Sequence, residues 1–326
     1  MMELIDIWED LEKANQNGMR KLVCSDLLCR TYIGTIDSKR CLYIEFPDAL
    51  TVQLNKLRDY EGLELLVKKT GYEQNGCTSL ILLSGSEKQN DEFTIIAKDI
   101  LTSLHGINDA KHYADKIFER ISSWAEFFTA RKEEKLSHNV EVGLFGELFC
   151  MKQQFEAGVT EADKWWNGPQ KSAQDFQTKN VCLEVKTTTA NELAKVHISD
   201  VGQLTLNEDH SGSRLFLAAY RLIPDNLKGM TLPELIDQVK GIIPEDRKSM
   251  FDASLGLVGY SDKLRDQYSD KFTAVERRVY EVKDDFPRLT RNVIPAAITD
   301  VKYVLYLNDC DKYLSDFSAI VDLLKD

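Results

Sequence analysis

The stretch from Ala173 to Thr189 reads AQDFQTKNVCLEVKTTT and contains an apolar strand that carries two charges. Its second half has the aliphatic and β-branched composition of a buried strand, yet Glu184 and Lys186 lie inside it. Because the two residues are two positions apart, their side chains are expected on the same face of the sheet. Burial of a carboxylate and an ammonium is costly unless each has a partner, so this strand is predicted to serve a functional site.

A third ionisable residue extends the pattern. Asp175 lies nine residues before Glu184, and the turn-like TKN between them predicts that it belongs to a neighbouring strand. Carboxylate oxygens hold Mg²⁺ ions that bind a scissile phosphate and activate water, and a lysine stabilises the charge that develops. We therefore predict metal-dependent phosphodiester hydrolysis, with Mg²⁺ as the cofactor and Mn²⁺ able to replace it.

A [DE]xK triplet alone is weak evidence, since the chain has seven of them. They begin at Asp37, Asp109, Glu133, Glu184, Asp246, Glu281 and Asp300. Only the triplet at Glu184 combines an apolar strand, an upstream aspartate and a preceding helix with a glutamate, Glu147. The nearest rival, at Glu281, lies in a strand with charges on both faces and is predicted to be a solvated edge strand.

Composition restricts the class of protein. A chain of 326 residues, 43% hydrophobic and 29% charged, is expected to form two folded modules. Its apolar runs are far shorter than the roughly 20 residues that span a bilayer. The acidic amino terminus is not a signal peptide, so we expect a cytoplasmic protein without a membrane partner. Seven cysteines without CxxC, and histidines without HExxH, argue against a disulfide framework or a zinc site.

The net charge of −12 is spread evenly along the chain. Residues 1–130 contain 15 basic and 21 acidic side chains, a net charge of −6, and the remainder carries the other −6. Affinity for nucleic acid depends largely on Lys and Arg that neutralise phosphates, so the chain is not expected to bind DNA tightly by itself. A local basic groove remains compatible with these numbers.

Two modules are predicted, 1–135 and 136–326, with the polar stretch RKEEKLSHN (131–139) at their boundary. The first opens with a helix near residues 3–15 and continues as an antiparallel sheet, closed by a helical section over 96–128. Its predicted strands are CRTYIGTI, RCLYIEF, LELLVKK, TSLILLS and EFTIIAK. The second module opens with a helix, VEVGLFGELFCMKQQFEAG, and is predicted to be mixed α/β. Further strands are predicted at KVHIS, SRLFLAAYRLI, KFTAVERRVYEV and KYVLYL.

The succession GLFGELF, WWNGP, QDF, LEVKTTT, HIS and QL resembles the PD-(D/E)XK phosphodiesterase superfamily. More narrowly, it is similar to a subfamily found in bacterial anti-phage and restriction operons. The agreement covers residues 143–206, about a fifth of the chain. It implies a restriction-endonuclease-like α/β (α+β) fold, a mixed sheet flanked by helices, preceded here by the N-terminal β-rich module.

The resemblance also implies roles for individual residues. Glu147 matches the helical glutamate that supports the metal, and Asp175 matches the metal-ligating aspartate. Glu184 and Lys186 match the acid and the lysine of the ExK pair, so the implied metal ligands are Asp175, Glu184 and Glu147. Gln203 matches a glutamine that lies near the site in some members. The family's proline before the aspartate is absent.

Other interpretations of these residues stay open. Glu147 could be a solvated helix residue paired with Lys152, and Asp175 could cap a turn. Trp165 and Trp166 are interpreted as packing for the site more than as base-stacking platforms.

The interpretation that follows is an Mg²⁺-dependent DNA endonuclease, a restriction or phage-defence effector. In this interpretation the protein acts on DNA, has partner proteins of a defence system, and can form a homo-oligomer. One alternative is a nuclease-fold scaffold or DNA-binding subunit of a multiprotein defence complex. Another is a phosphodiesterase for RNA or a small molecule.

Overall fold

A computed structural model describes residues 4–14, 18–47, 62–70, 77–130, 134–168, 173–207, 210–295 and 297–325. The chain divides into two compact units, Met1–Lys132 and Glu133–Asp326. The polar stretch RKEEKLSHN spans this division, and its residues 131–133 lie outside the described residues. Separate folding of two modules, 1–135 and 136–326, stays a prediction.

The first unit contains a five-stranded antiparallel sheet with the strand order β1-β2-β3-β5-β4. Its strands are β1 (Arg20–Val23), β2 (Arg30–Ile36), β3 (Lys39–Pro47), β4 (Leu63–Thr70) and β5 (Cys77–Ser84). Its helices include α1 (Leu4–Lys13), α2 (Asn90–Leu104) and α3 (Ala110–Ala130). The predicted β-rich N-terminal architecture is confirmed, although the sequence analysis missed strand β1.

The segment EFTIIAK, predicted as a strand, lies in helix α2, so that prediction was wrong. Its β-branched residues favour a strand, but its apolar positions continue at helical spacing beyond the segment. Phe93, Ile96, Ile100 and Leu104 are all buried on one face of the helix. A helical period sustained over the whole element outweighs the local β propensity.

The second unit contains a five-stranded mixed sheet with the order β12-β10-β9-β7-β6, and a two-stranded sheet of β8 and β11. The strands are β6 (Phe176–Gln177), β7 (Val181–Thr188), β8 (Lys195–Ile198), β9 (Arg214–Pro224), β10 (Phe272–Glu281), β11 (Tyr303–Tyr306) and β12 (Leu314–Ser315). The helices include α4 (His138–Glu156), α5 (Leu232–Ile242), α6 (Lys248–Val258) and α7 (Phe317–Lys325). Strands β7 and β9 are parallel, and the other neighbouring pairs are antiparallel. The predicted mixed α/β fold class is confirmed.

The two faces of the mixed sheet are covered by different elements. Leu183 of β7 packs in a core with helices α4 to α7. Cys182 belongs to the opposite core, with strands β8 and β11 and the 3-10 helix Val201–Leu204. Because side chains alternate along a strand, Glu184 and Lys186 lie on the face of Cys182. The charged pair therefore lies toward the 3-10 helix.

Strand β10, which contains the rival triplet, is not the solvated edge strand that the sequence predicted. At its carboxyl end Val279 and Tyr280 pair with β12, and both are buried. The charges of the triplet lie at the surface, where Lys283 Nζ is 3.1 Å from Glu281 Oε2 and the lysine side chain is 62% exposed. Glu281 also pairs with Arg214. These contacts are an ordinary surface ion-pair network.

Helix α4 approaches strand β7 closely at Gly146. A Cβ atom added there would lie 1.8 Å from Thr187 Oγ1 and 3.0 Å from Thr187 Cβ. The absence of a side chain at this position therefore allows the helix to pack on the strand of the ExK pair.

Gly146→Ala is expected to lower the free energy of unfolding by about 1–3 kcal/mol, because the added methyl group overpacks this contact. Gly143→Ala is the matched control on the same helix, since a Cβ there meets nothing within 4 Å. Its better helix propensity should raise stability by about 0.5–1 kcal/mol. Thermal melts of the two variants measure the difference, and shifts of equal sign and size would contradict the close approach.

Within the described ranges, no helix combines the length and the apolar character needed to cross a membrane. Several cysteines of the described residues are free thiols, namely Cys24, Cys29, Cys41, Cys150, Cys182 and Cys310. A cytoplasmic location stays a prediction.

Candidate active site

The side chains selected from the sequence come together around strand β7. Glu184 and Lys186 lie on β7, and Asp175 directly precedes β6. Glu147 projects from helix α4, and Gln203 lies on the 3-10 helix after β8. Four segments of the second unit thus contribute to one candidate site.

The ExK residues form a buried ion pair. Lys186 Nζ lies 2.6 Å from Glu184 Oε1 and donates a hydrogen bond of 3.1 Å to Gln203 Oε1. Glu184 is only 1% exposed, and its Oε2 is buried with no hydrogen-bond partner among the described residues. The lysine therefore offsets part of the burial cost but leaves one carboxylate oxygen unsatisfied.

Gln203 orients the lysine. Its Oε1 accepts hydrogen bonds from Ser199 N at 2.9 Å and Ser199 Oγ at 3.2 Å, in addition to the bond from Lys186. These donors direct the amide oxygen toward the ammonium. Asp200 caps the 3-10 helix by accepting a 2.7 Å hydrogen bond from Gly202 N.

Strand pairing brings Asp175 to Glu184. In the antiparallel pair β6–β7, Phe176 lies opposite Leu183, so Asp175 falls opposite Glu184. Asp175 Oδ2 accepts a 2.7 Å hydrogen bond from Val185 N, which fixes the carboxylate beside the ExK pair. Burial raises the pKa of Asp175 to about 6, although the nearby ammonium and this hydrogen bond act in the opposite direction.

Glu147 reaches the site from helix α4. Its Oε2 accepts a 2.8 Å hydrogen bond from Trp166 Nε1. Burial, followed by the negative charge of Asp175, raises the pKa of Glu147 to about 8. Lys152, its alternative partner from the sequence, pairs with Glu156 instead. Glu147 is therefore directed into the site and not into a surface ion pair.

The site carboxyl groups destabilise one another's charged forms. The pKa of Glu184 is well above its usual value, first because of burial and next because of Asp175, with a further contribution from Glu147. A divalent cation relieves such repulsion, and carboxylate oxygens are the ligands that Mg²⁺ prefers. The unpartnered Glu184 Oε2 offers a buried acceptor for the ion. Asp175, Glu184 and Glu147 therefore offer oxygen ligands of the type that Mg²⁺ prefers.

The oxygens of these three carboxylates do not all lie within 4.8 Å of one another. Mg²⁺ holds its ligands at about 2.0–2.1 Å and usually keeps several waters. Coordination of one ion by all three groups would therefore require these side chains to move closer together.

A protein-family model matches residues 4–308, which is nearly the whole chain. Its description is "Putative PD-(D/E)XK family member, (DUF4420)". The chain belongs to this family. Membership confirms the resemblance found in residues 143–206 and indicates a nuclease-like function. No curated protein and no solved structure matches the chain significantly.

A different group of potential metal ligands lies apart from the family's ExK residues. His138, Glu141 and Asp270 each offer one potential ligand atom, and these three atoms lie within 4.8 Å of one another. His138 is nine residues before Glu147 on α4, about 13 Å along the helix axis. Glu141 is fully buried, and its Oε2 lies 3.0 Å from Lys135 Nζ. This group shares no residue with the ExK pair, so the two groups are separate candidates for a divalent ion.

Two polar contacts of the family's site were not predicted. Trp166 is buried and packs against Phe251, as expected, but its indole N–H also orients Glu147. Gln174 is buried, and its amide binds the turn that carries Gln203. These partners are 19 and 28 residues apart in sequence, so no local pattern reveals the bonds. The one available signal is general, since a buried indole N–H requires an acceptor.

Proposed function

We propose that this chain is a divalent-metal-dependent endonuclease that hydrolyses DNA, acting as an effector of restriction or anti-phage defence. The observation that carries the proposal is the Glu184–Lys186 pair beside Asp175, in which one oxygen of the buried Glu184 finds no hydrogen-bond partner in the described part of the chain. A purely structural ion pair gains nothing from a second, half-buried carboxylate that repels the first. Membership of a PD-(D/E)XK family supports nuclease-like chemistry, and the resemblance to defence-associated members supports the biological role.

The residues of the site would divide the chemical work. Asp175, Glu184 and Glu147 would hold the metal through carboxylate oxygens. When bound, Mg²⁺ supplies a Lewis acid that polarises the phosphate and lowers the pKa of a coordinated water. Lys186, held by Glu184 and Gln203, donates to the phosphate oxygens and stabilises the negative charge that develops there.

Binding of the lone chain to DNA is expected to be weak and sensitive to salt, because the net charge is −12. The dissociation constant for random duplex should lie near 10⁻⁴–10⁻⁶ M, roughly, at physiological salt and rise with added salt. A partner protein, dimerisation or a local basic groove would then complete DNA binding. Fluorescence anisotropy in Ca²⁺ measures this constant, and salt-insensitive nanomolar binding would contradict the expectation.

The function is tested by incubating the pure protein with supercoiled, linear, modified and single-stranded DNA and with RNA, in Mg²⁺, in Mn²⁺ and in EDTA. Cleavage of DNA in either metal and none in EDTA is the expected result, with Asp175→Asn purified in parallel to exclude a contaminating nuclease. Binding of DNA without cleavage in any condition would favour the scaffold alternative. Cleavage of RNA alone would move the proposal to an RNA phosphodiesterase.

A further inference from the structure

Gln174 connects the two halves of the proposed site through one buried amide. It directly precedes Asp175 and is only 2% exposed. Its Nε2 donates hydrogen bonds to the carbonyl oxygens of Gly202 at 2.6 Å and Thr205 at 3.0 Å, and it lies 3.3 Å from that of Gln203. A residue next to the proposed metal ligand thus holds the turn on which the lysine's partner lies.

The orientation of this amide is fixed from its other end. Gln174 Oε1 accepts a 2.8 Å hydrogen bond from Gln177 Nε2, and Gln177 Oε1 accepts one of 3.1 Å from Asn167 Nδ2. Only the NH₂ end of Gln174 can donate to the carbonyl oxygens of the turn. Gly202 O already accepts a 3.0 Å hydrogen bond from Thr205 N, and Gln174 adds a second donor to it and a side-chain donor to Thr205 O.

The turn in question determines where Gln203 lies. Gln203 Oε1 accepts from Lys186 Nζ, and Lys186 Nζ lies against Glu184 Oε1. Gln174 is therefore connected to the ammonium by its hydrogen bonds to the backbone of 202–205, by the covalent chain to the Gln203 side chain, and by the bond from Lys186. Gln174 is also joined by a peptide bond to Asp175, the proposed metal ligand.

We propose that Gln174 is a positioning residue for Lys186. Its amide holds the turn of Gln203 so that the lysine stays at the ExK carboxylate while Asp175 keeps its place. The inference rests on the proposed function, and it assigns to Gln174 neither a metal ligand nor a substrate contact. This role differs from general packing because the effect of Gln174 on Lys186 is transmitted through the Gln203 side chain.

Two substitutions remove the donors. Gln174→Met keeps the volume, and Gln174→Glu keeps the acceptor for Gln177. In both variants, amide hydrogen exchange of residues 199–206 should become about tenfold faster as the turn loosens. The single-turnover rate of cleavage at saturating enzyme should fall about tenfold, with an unchanged enzyme concentration at the half-maximal rate. In Gln174→Met, affinity for Mn²⁺ measured by calorimetry should be unchanged, because the three carboxylates are intact and no charge is added.

Gln154→Met is the matched control. Gln154 is also fully buried, on helix α4, and its Nε2 contacts Cys150 Sγ at 3.6 Å. This variant should change neither exchange in 199–206 nor cleavage. In a Lys186→Met background, Gln174→Met should lower cleavage no further, because its effect passes through that lysine.

Unchanged exchange of residues 199–206 in both Gln174 variants would overturn the proposal. A loss of Mn²⁺ affinity in Gln174→Met as large as the loss of cleavage would also overturn it, because the effect would then lie at Asp175. If the wild-type protein cuts no DNA, the proposed function fails separately. The role of Gln174 is then tested by amide exchange of residues 199–206 and by the rate at which Lys186 is acylated. Acylation of Lys186 should be faster in the Gln174 variants, because Gln203 no longer holds the lysine. An unchanged rate of acylation would show that Gln174 does not position Lys186.

Discussion

Replacing Lys186 by methionine is expected to lower the rate of DNA cleavage by about 10²–10³-fold, the usual cost of losing one preorganised donor to a developing charge. The protein should still bind divalent metal, because Asp175, Glu184 and Glu147 remain. Metal binding is measured by calorimetry with Mn²⁺, and cleavage is measured under single-turnover conditions. The combination of retained binding and lost cleavage is specific to a lysine that acts on the reacting phosphate.

Lys283→Met is the matched control for this substitution. Lys283 belongs to the rival Glu-Val-Lys triplet of β10, where it pairs with Glu281 at the surface. The same chemical change there should leave cleavage unaltered. Equal losses in both variants would contradict the assignment of the site to β7.

A purely structural ion pair predicts a different result for Lys186→Met. Loss of the lysine would then leave Glu184 buried and unpaired, at a cost of about 3–5 kcal/mol, with no rescue by metal. In the nuclease account, added Mg²⁺ or Mn²⁺ replaces the missing positive charge beside Glu184 and recovers stability. Thermal melts of the variant with metal and with EDTA separate the two accounts.

Mg²⁺ or Mn²⁺ is expected to raise the Tm of the wild-type protein, and Asp175→Asn or Glu184→Gln should abolish that rise. At a metal concentration near 100 times the dissociation constant, mass action contributes about 2.7 kcal/mol. For a unit of this size that corresponds to roughly 5–10 °C. In EDTA, Asp175→Asn should melt no lower than the wild type, because it removes a carboxylate that repels its neighbours. Glu184→Gln also removes the charge partner of Lys186, so in EDTA it should melt lower.

His138→Gln controls for the other group of potential ligands. This residue lies with Glu141 and Asp270, apart from the ExK pair, so the variant should keep the full metal-dependent rise in Tm. A rise that persists in Asp175→Asn but disappears in His138→Gln would place the ion in the wrong group for the proposed chemistry. Differential scanning fluorimetry of the three proteins is sufficient.

The ExK strand could be recognised from sequence because its signal is local. Glu184 and Lys186 interrupt an apolar run at strand spacing, and no other triplet of the chain combines this feature with an upstream aspartate and a helical glutamate. The antiparallel β6–β7 pair then brings Asp175 opposite Glu184, as the short turn predicts. Residue types at short, fixed spacing were thus sufficient to predict much of the candidate site.

Features that depend on distant contacts could not be predicted. The segment EFTIIAK has strand-forming residues, and only its burial against the rest of the first unit, at helical spacing, makes it a helix. Gln174 and Trp166 find their partners 28 and 19 residues away, across the fold. Such hydrogen bonds depend on tertiary packing, and the local sequence around each residue does not predict them.

The central claim is that the Glu184–Lys186 strand forms a metal-dependent catalytic site for DNA. Its most direct test is the rate at which wild-type protein and Glu184→Gln cut supercoiled plasmid in Mg²⁺, in Mn²⁺ and in EDTA. The account predicts cleavage by the wild type in either metal, none in EDTA, and a loss of about 10³-fold or more in the variant. Cleavage by Glu184→Gln at the wild-type rate, or cleavage that persists in EDTA, would contradict it.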